Sequence, residues 1–157
     1  MRLSLWPCYT VALMLVGCAG THTKPSPADT APSASAQSAE RAADIALAQV
    51  GRPYRYGGDT PAGFDCSGLV NYGYARAGVA VSRETRTLRS QAQSIGVTQL
   101  RAGDLLFFDQ EGKKYSHVAI YLGDKRFVHA PSSGGRVRVD RLDSDYWARH
   151  FIEARRI

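Results

Sequence analysis

A chain of 157 residues holds one domain of ordinary size with terminal extensions. At 44% hydrophobic and 22% charged, its composition is that of a soluble globular protein and excludes a disordered or fibrous chain. The 20 Lys and Arg against 14 Asp and Glu leave a formal charge of +6, which suits an anionic partner such as a membrane surface or cell-wall polymer; with no RNA-binding aromatic motif, zinc-finger spacing or basic helix beside it, nucleic acid is not expected.

The first element in chain order is a leader. Arg2 gives a short basic start, and Tyr9 to Val16 is almost wholly apolar. Such a run is shorter than the roughly 20 residues a membrane span needs, but it suits a signal peptide. It ends in Leu15-Val16-Gly17-Cys18, which resembles the bacterial lipobox, so residues 1–17 are read as a lipoprotein signal and Cys18 as the lipidated (palmitate-bearing) N terminus. The alternative is an ordinary signal peptide with a chance cysteine. Ala19 after that cysteine implies anchoring to the outer membrane, facing the periplasm. Residues 18–38 then form the lipidated cysteine and a tether rich in Pro, Ser, Ala and Thr, which lacks the apolar side chains to fold and reaches roughly 25 Å as a random coil.

The domain is expected over residues 39–157. Ala42, Ile45, Ala46 and Val50 fall at helical spacing, predicting a helix over 39–50 that stops at Gly51. Residues 52–64 carry Pro53, Gly57, Gly58, Pro61 and Gly63 and read as loop. A second helix is predicted over 66–77 with Asp65 as N-cap and Gly78 past its end, and a weaker, polar one over 85–94. Short β-rich runs follow at 105–108, 117–122, 126–129, 137–139 and 151–157. Helices first and strands second predict an α+β domain with an antiparallel sheet.

The cysteine count singles out Cys66. Cys8 leaves with the leader and Cys18 is consumed by lipid, so Cys66 has no partner for a disulfide. A solitary thiol in an oxidising compartment is either packed and inert or kept for chemistry. Cys66 starts a predicted helix, where the dipole favours a thiolate and lowers the thiol pKa, and a histidine brought close by the fold would add a base. His117 opens one strand run and His129 ends the next, so the two can meet, one as base and the other orienting it. His22 in the tether and His150 near the C terminus read as solvated bystanders. Zinc ligation by Cys66, His117 and His129 is the alternative, but no close-spaced ligand pair supports it and no metal or cofactor is expected.

These blocks resemble the NlpC/P60 family of cell-wall peptidases, and in particular its Gram-negative lipoprotein murein endopeptidases. The resemblance rests on Tyr54-Arg55-Tyr56-Gly57-Gly58, Phe64-Asp65-Cys66-Ser67-Gly68, Arg101-Ala102-Gly103-Asp104-Leu105, His117 to Gly123 and Phe127-Val128-His129-Ala130, in that order over residues 42–157. It implies a papain-like NlpC/P60 fold and a thiol protease that cuts the D-γ-glutamyl–diaminopimelate bond of peptidoglycan stem peptides through an acyl-enzyme. Cys66 is then the nucleophile, His117 the base and His129 its orienting partner. Tyr54 matches a tyrosine near the oxyanion and substrate, while Asp65 and Ser67 match substrate-contacting positions. Arg83 aligns with an arginine that meets a substrate carboxylate, or else is a solvated surface charge. Gly103-Asp104 reads as a structural turn. A monomer bound to stem peptides and, through its lipid, to membrane is the expectation. A cell-wall amidase on a related fold and a non-catalytic wall-binding lipoprotein are the rivals.

Overall fold

The computed structural model describes residues 33–110, 112–132 and 135–157. The leader, Cys18 and most of the tether lie outside the described residues. Among those described, no helix is long and apolar enough to cross a membrane.

Helix α1 spans Ala34–Leu47 and is capped by the Ser33 hydroxyl, which accepts from the Ala36 N–H at 3.3 Å. It starts five residues before the predicted position, inside the stretch read as tether, because alanines and a capping serine favour helix where composition alone suggests coil. Its buried face is Ala39, Ala42, Ala43 and Ala46, while Val50 lies beyond its end and is exposed. The face is small for a reason visible in its partner. A Cβ on Gly73 would lie 2.7 Å from the Ala42 carbonyl oxygen, so α1 and α2 (Cys66–Arg76) approach closely along alanine and glycine.

Before α2 come two-residue strands β1 (Asp59–Thr60) and β2 (Gly63–Phe64), paired with each other inside the segment expected to be loop. Asp65 caps α2 as predicted, accepting from the Gly68 N–H at 2.7 Å, and Gly78 follows with φ +86°. Helix α3 is Thr85–Gln91, ending three residues early because strand β3 begins at Gln93–Ile95.

The remaining strands are β4 (Leu105–Gln110), β5 (Lys113–Gly123), β6 (Arg126–His129), β7 (Arg138–Arg141) and β8 (Phe151–Arg156). With β3 they form one antiparallel sheet in the order β3-β8-β4-β5-β6-β7, as the α+β expectation requires. A short unpredicted helix, α4 (Asp145–His150), precedes β8. Alternation along the strands divides the core into two layers. Leu105, Phe107, Val118, Ile120 and Val128 pack with α1 and α2, whereas Leu106, Phe108, Ala119, Tyr121 and Phe127 pack with Trp147 of α4.

The Gly103-Asp104 turn is structural, as expected. Asp104 is 1% exposed, and its carboxylate accepts from the Arg101 N–H and from Arg156 on β8. Gly103 has φ +96°, and its carbonyl accepts from the buried Tyr74 hydroxyl at 2.6 Å.

Candidate active site

The first turn of α2 carries Cys66 onto the floor of an open cleft of about 460 Å³. Tyr54, Asp65, Ser67, Arg83 and Thr85 line the same cleft, as does Ser116 from β5. Close backbone contact holds this turn in place. A Cβ on Gly68 would lie 2.0 Å from the Gly58 carbonyl oxygen, so the glycine after Ser67 is what lets α2 reach the Gly57-Gly58 turn.

Asp65 does three things with one carboxylate. It caps α2, accepts from the Gly57 N–H at 2.9 Å, and accepts two Arg83 guanidinium bonds at 2.8 and 2.7 Å. Arg83 also donates to Ser67 Oγ at 2.9 Å and to the Gly58 carbonyl at 3.0 Å. It is therefore built into the cleft wall, and the reading as a free solvated charge does not hold.

Cys66 keeps part of its surface open, yet its sulfur lies deep enough that burial pushes the thiol pKa up. The Val118 backbone N–H opposes this as a hydrogen-bond donor to sulfur, and the Asp65 charge adds to the rise. Bonds from the Thr85 hydroxyl, 4.0 Å away, and the Ser67 N–H also favour the thiolate. The first turn of α2 acts in the expected direction through the Ser67 N–H, but desolvation outweighs it and the other donors, so the net shift is upward. Burial likewise raises the Tyr54 phenol, with smaller contributions in the same direction from Cys66 and Asp65.

The two histidines meet. His117 Nε2 lies 2.9 Å from His129 Nδ1, both residues are buried, and Trp147 stacks on His117 with ring centroids 5.6 Å apart. Burial pushes both imidazole pKa values down, that of His117 far down. His117 lies between Ser116, which lines the cleft, and Val118, whose N–H reaches the sulfur. Among the described residues His117 and Cys66 share no hydrogen bond; such contacts are often long in a free enzyme and tighten around substrate.

One member of this constellation was missed from sequence. His129 Nε2 lies 3.0 Å from Asp140 Oδ2, which also accepts from Arg138 Nε at 3.0 Å and Trp147 Nε1 at 2.9 Å. His129 and these donors hold the Asp140 pKa far below the usual carboxylate range. His150, read as a bystander, bonds Asp109 at 3.0 Å on the rim of the sheet. Among the described residues no group of three His, Cys, Asp or Glu side chains is arranged to hold a metal ion.

Comparison with known proteins places this site in context. The family model described as "NlpC/P60 family" matches residues 51–156. The chain is 39% identical over 118 residues to murein DD-endopeptidase MepH of Escherichia coli strain K12, covering 71% of this chain and 43% of MepH. It is 39% identical over 115 residues to bifunctional muramidase/DL-endopeptidase CwlT of Bacillus subtilis strain 168, covering 71% of this chain and 34% of CwlT. The chain thus spans less than half the length of these relatives. The crystal structure of the NlpC/p60 domain of peptidoglycan hydrolase SagA superposes with a TM-score of 0.66 at 36% identity, over 76% of this chain and 98% of that one.

Proposed function

Because this chain belongs to the NlpC/P60 family, we propose that it is a cysteine endopeptidase of peptidoglycan, hydrolysing the D-γ-glutamyl–diaminopimelate bond of stem peptides. The observation that carries the reading is the placement of Cys66 in the cleft at the start of α2, next to the strand bearing His117 and its chain of buried partners.

In the proposed reaction Cys66 Sγ attacks the γ-carbonyl carbon while its proton passes to His117. The Cys66 backbone N–H, in the helix's first turn and without an intrahelical partner, and the Tyr54 hydroxyl hold the oxyanion; losing one such donor costs on the order of 10²–10³ in rate. His117 gives the proton to the departing amine, leaving an acyl-enzyme. Water, deprotonated by His117, attacks the thioester and releases the acid and the thiol. The net positive charge suits stems that carry several carboxylates.

The relatives' names divide on the bond, MepH being called a DD-endopeptidase and CwlT a DL-endopeptidase. Incubating the protein with uncrosslinked and crosslinked disaccharide-peptides and weighing the products by mass spectrometry separates the cases. The proposal expects a cut between D-glutamate and diaminopimelate that Cys66→Ala abolishes. A cut confined to the crosslink would replace the bond assignment, a cut between sugar and L-alanine would make the protein an amidase, and the absence of any cut would favour a wall-binding role.

Attachment to the outer membrane through a lipid on Cys18 belongs to the same proposal and is supported by the apolar run ending in Gly17-Cys18. A Cys18→Ser variant is expected to leave the membrane fraction; retention there would remove the anchor from the reading.

A further inference from the structure

Hydrogen bonds around the histidine pair set the direction of each proton in it. Asp140 Oδ2 is met by Trp147 Nε1–H at 2.9 Å and Arg138 Nε–H at 3.0 Å. An indole and a guanidinium can only donate, so the atom they meet is an acceptor. His129 Nε2, 3.0 Å from the same oxygen, therefore carries the proton of that contact. A neutral imidazole protonated at Nε2 presents Nδ1 as an acceptor, and His129 Nδ1 faces His117 Nε2 at 2.9 Å. His117 then donates from Nε2 and keeps a lone pair on Nδ1. Among the described residues no buried side-chain nitrogen or oxygen lacks a partner. His117 Nδ1 has none, so it is the nitrogen of this pair that is open to the outside.

We propose that Asp140 is a positioning residue of the site: by fixing His129 and, through it, His117 as Nε2–H tautomers, it makes His117 Nδ1 the base that meets Cys66. The catalytic consequence rests on the cysteine-peptidase reading above; the tautomers do not. When Cys66 loses its proton, that proton binds His117 Nδ1, His117 keeps its Nε2–H, and the ring becomes imidazolium. The negative charge of Asp140 then faces that cation through His129, and Asp140 itself takes up no proton.

The register explains how a residue on β7 reaches this role. Phe127 pairs with Asp140 and His129 with Arg138, so Asp140 and His129 are diagonal neighbours on one face of the sheet. The charged and titratable groups acting on the two imidazoles are Asp140 and Arg138 from β7 and the imidazoles themselves. Strand β4 contributes only the Phe108 ring against His117, α4 contributes Trp147, and α2 presents the neutral Cys66 thiol beyond Val118. Trp147 also shields the chain, with its ring 4.9 Å from His129 and itself 5% exposed.

The test uses the intact protein with Asp140→Asn and Asp140→Leu. In Asp140→Asn the two obligate donors, Arg138 and Trp147, hold the amide oxygen where Oδ2 was, so the tautomers survive and only the charge is lost. Long-range ¹H–¹⁵N spectra at neutral pH are expected to show both histidines as Nε2–H in wild type and in Asp140→Asn, and to lose that pattern in Asp140→Leu. An Nδ1–H tautomer for His117 in wild type overturns the proposal, whatever the substrate proves to be. In turnover of stem peptides, Asp140→Asn is expected to lose about 10–100-fold in kcat, as when a carboxylate behind a metal-bound histidine is removed, with KM unchanged. The acid limb of its kcat profile moves to lower pH, because the anion that favours imidazolium is gone. A purely structural role would lower the melting temperature and leave that limb where it was. Failure of wild type to cut stems would sink the proposed function while leaving the tautomer measurement decisive for Asp140.

Discussion

The Cys66 sulfur shows how competing local effects decide a residue's chemistry. Three donors reach it, from Val118, Thr85 and Ser67, and each favours the thiolate. Burial, the largest effect, favours the thiol. Burial therefore favours the neutral thiol at Cys66, and in the proposed reaction it ionises as His117 removes its proton. Alkylation by iodoacetamide checks this directly. The rate at Cys66 is expected to rise with a midpoint above the ordinary thiol value of 9.0. Thr85→Val, which removes the hydroxyl 4.0 Å from sulfur, should push the midpoint higher still. A plateau of reactivity extending into acid would mean a standing thiolate–imidazolium pair and overturn the prediction.

Among elements, α2 depends most on one residue. Asp65 caps it, anchors the Gly57 turn and holds Arg83. Asp65→Ala removes a cap worth about 1 kcal/mol. It also leaves Arg83 with Ser67, the Gly58 carbonyl and the Asp59 carboxylate 3.9 Å away; exposure of that guanidinium limits the added loss to about 1–2 kcal/mol. Asp65→Asn keeps an oxygen for the cap and is expected to cost less than half as much. Urea unfolding of both variants measures the difference, and equal losses would show that the cap contributes nothing. The turn before β4 gives a second test. Gly103 has φ +96°, and a Cβ there would lie 2.4 Å from the Ala39 backbone, so Gly103→Ala must both strain the turn and displace α1. A loss above about 2 kcal/mol in the same assay is expected.

Elements were legible in proportion to how locally their signals are written. The α2 cap, the four strands that alternate or run apolar from Leu105 to His129 and at the C terminus, and the cysteine–histidine constellation all lie in short, self-contained stretches. Strand β3 is Gln-Ser-Ile, an edge strand that among the described residues pairs with β8 alone, and so carries no apolar alternation to read. Helix α4 has six residues and one buried side chain, Trp147, too little to form a periodic pattern. Asp140 was hidden for a different reason. It stands among Arg138, Arg141 and Asp143 as one more charge at the end of a short strand, and only the β6–β7 register brings it beside His129.

For the whole molecule, the same buried groups make stability depend on pH in two stages. His117 and His129 are held neutral by burial, with folded pKa values below the ordinary 6.5. A histidine depressed in this way binds its proton more readily when unfolded, so its contribution is complete above about pH 6.5 and is lost as pH falls toward the folded value. Asp140, Asp143 and Glu153 are depressed as well, by His129, Arg141 and the Arg155–Arg89 pair acting on them. For Glu153 those bonds outweigh a desolvation effect in the opposite direction. Their contributions persist above the ordinary carboxylate values of 3.8 and 4.5 and fade only as pH drops below them. The melting temperature should therefore be level near pH 7 to 8, decline below about 6.5, and decline again below about 4. Replacing both histidines with glutamine, which stays neutral throughout, separates the stages. The double variant should be less stable at pH 7 but lose the first decline and keep the second. If the first decline survives, groups other than the histidine pair govern it, and the coupling between this site and the stability of the fold is weaker than its burial implies.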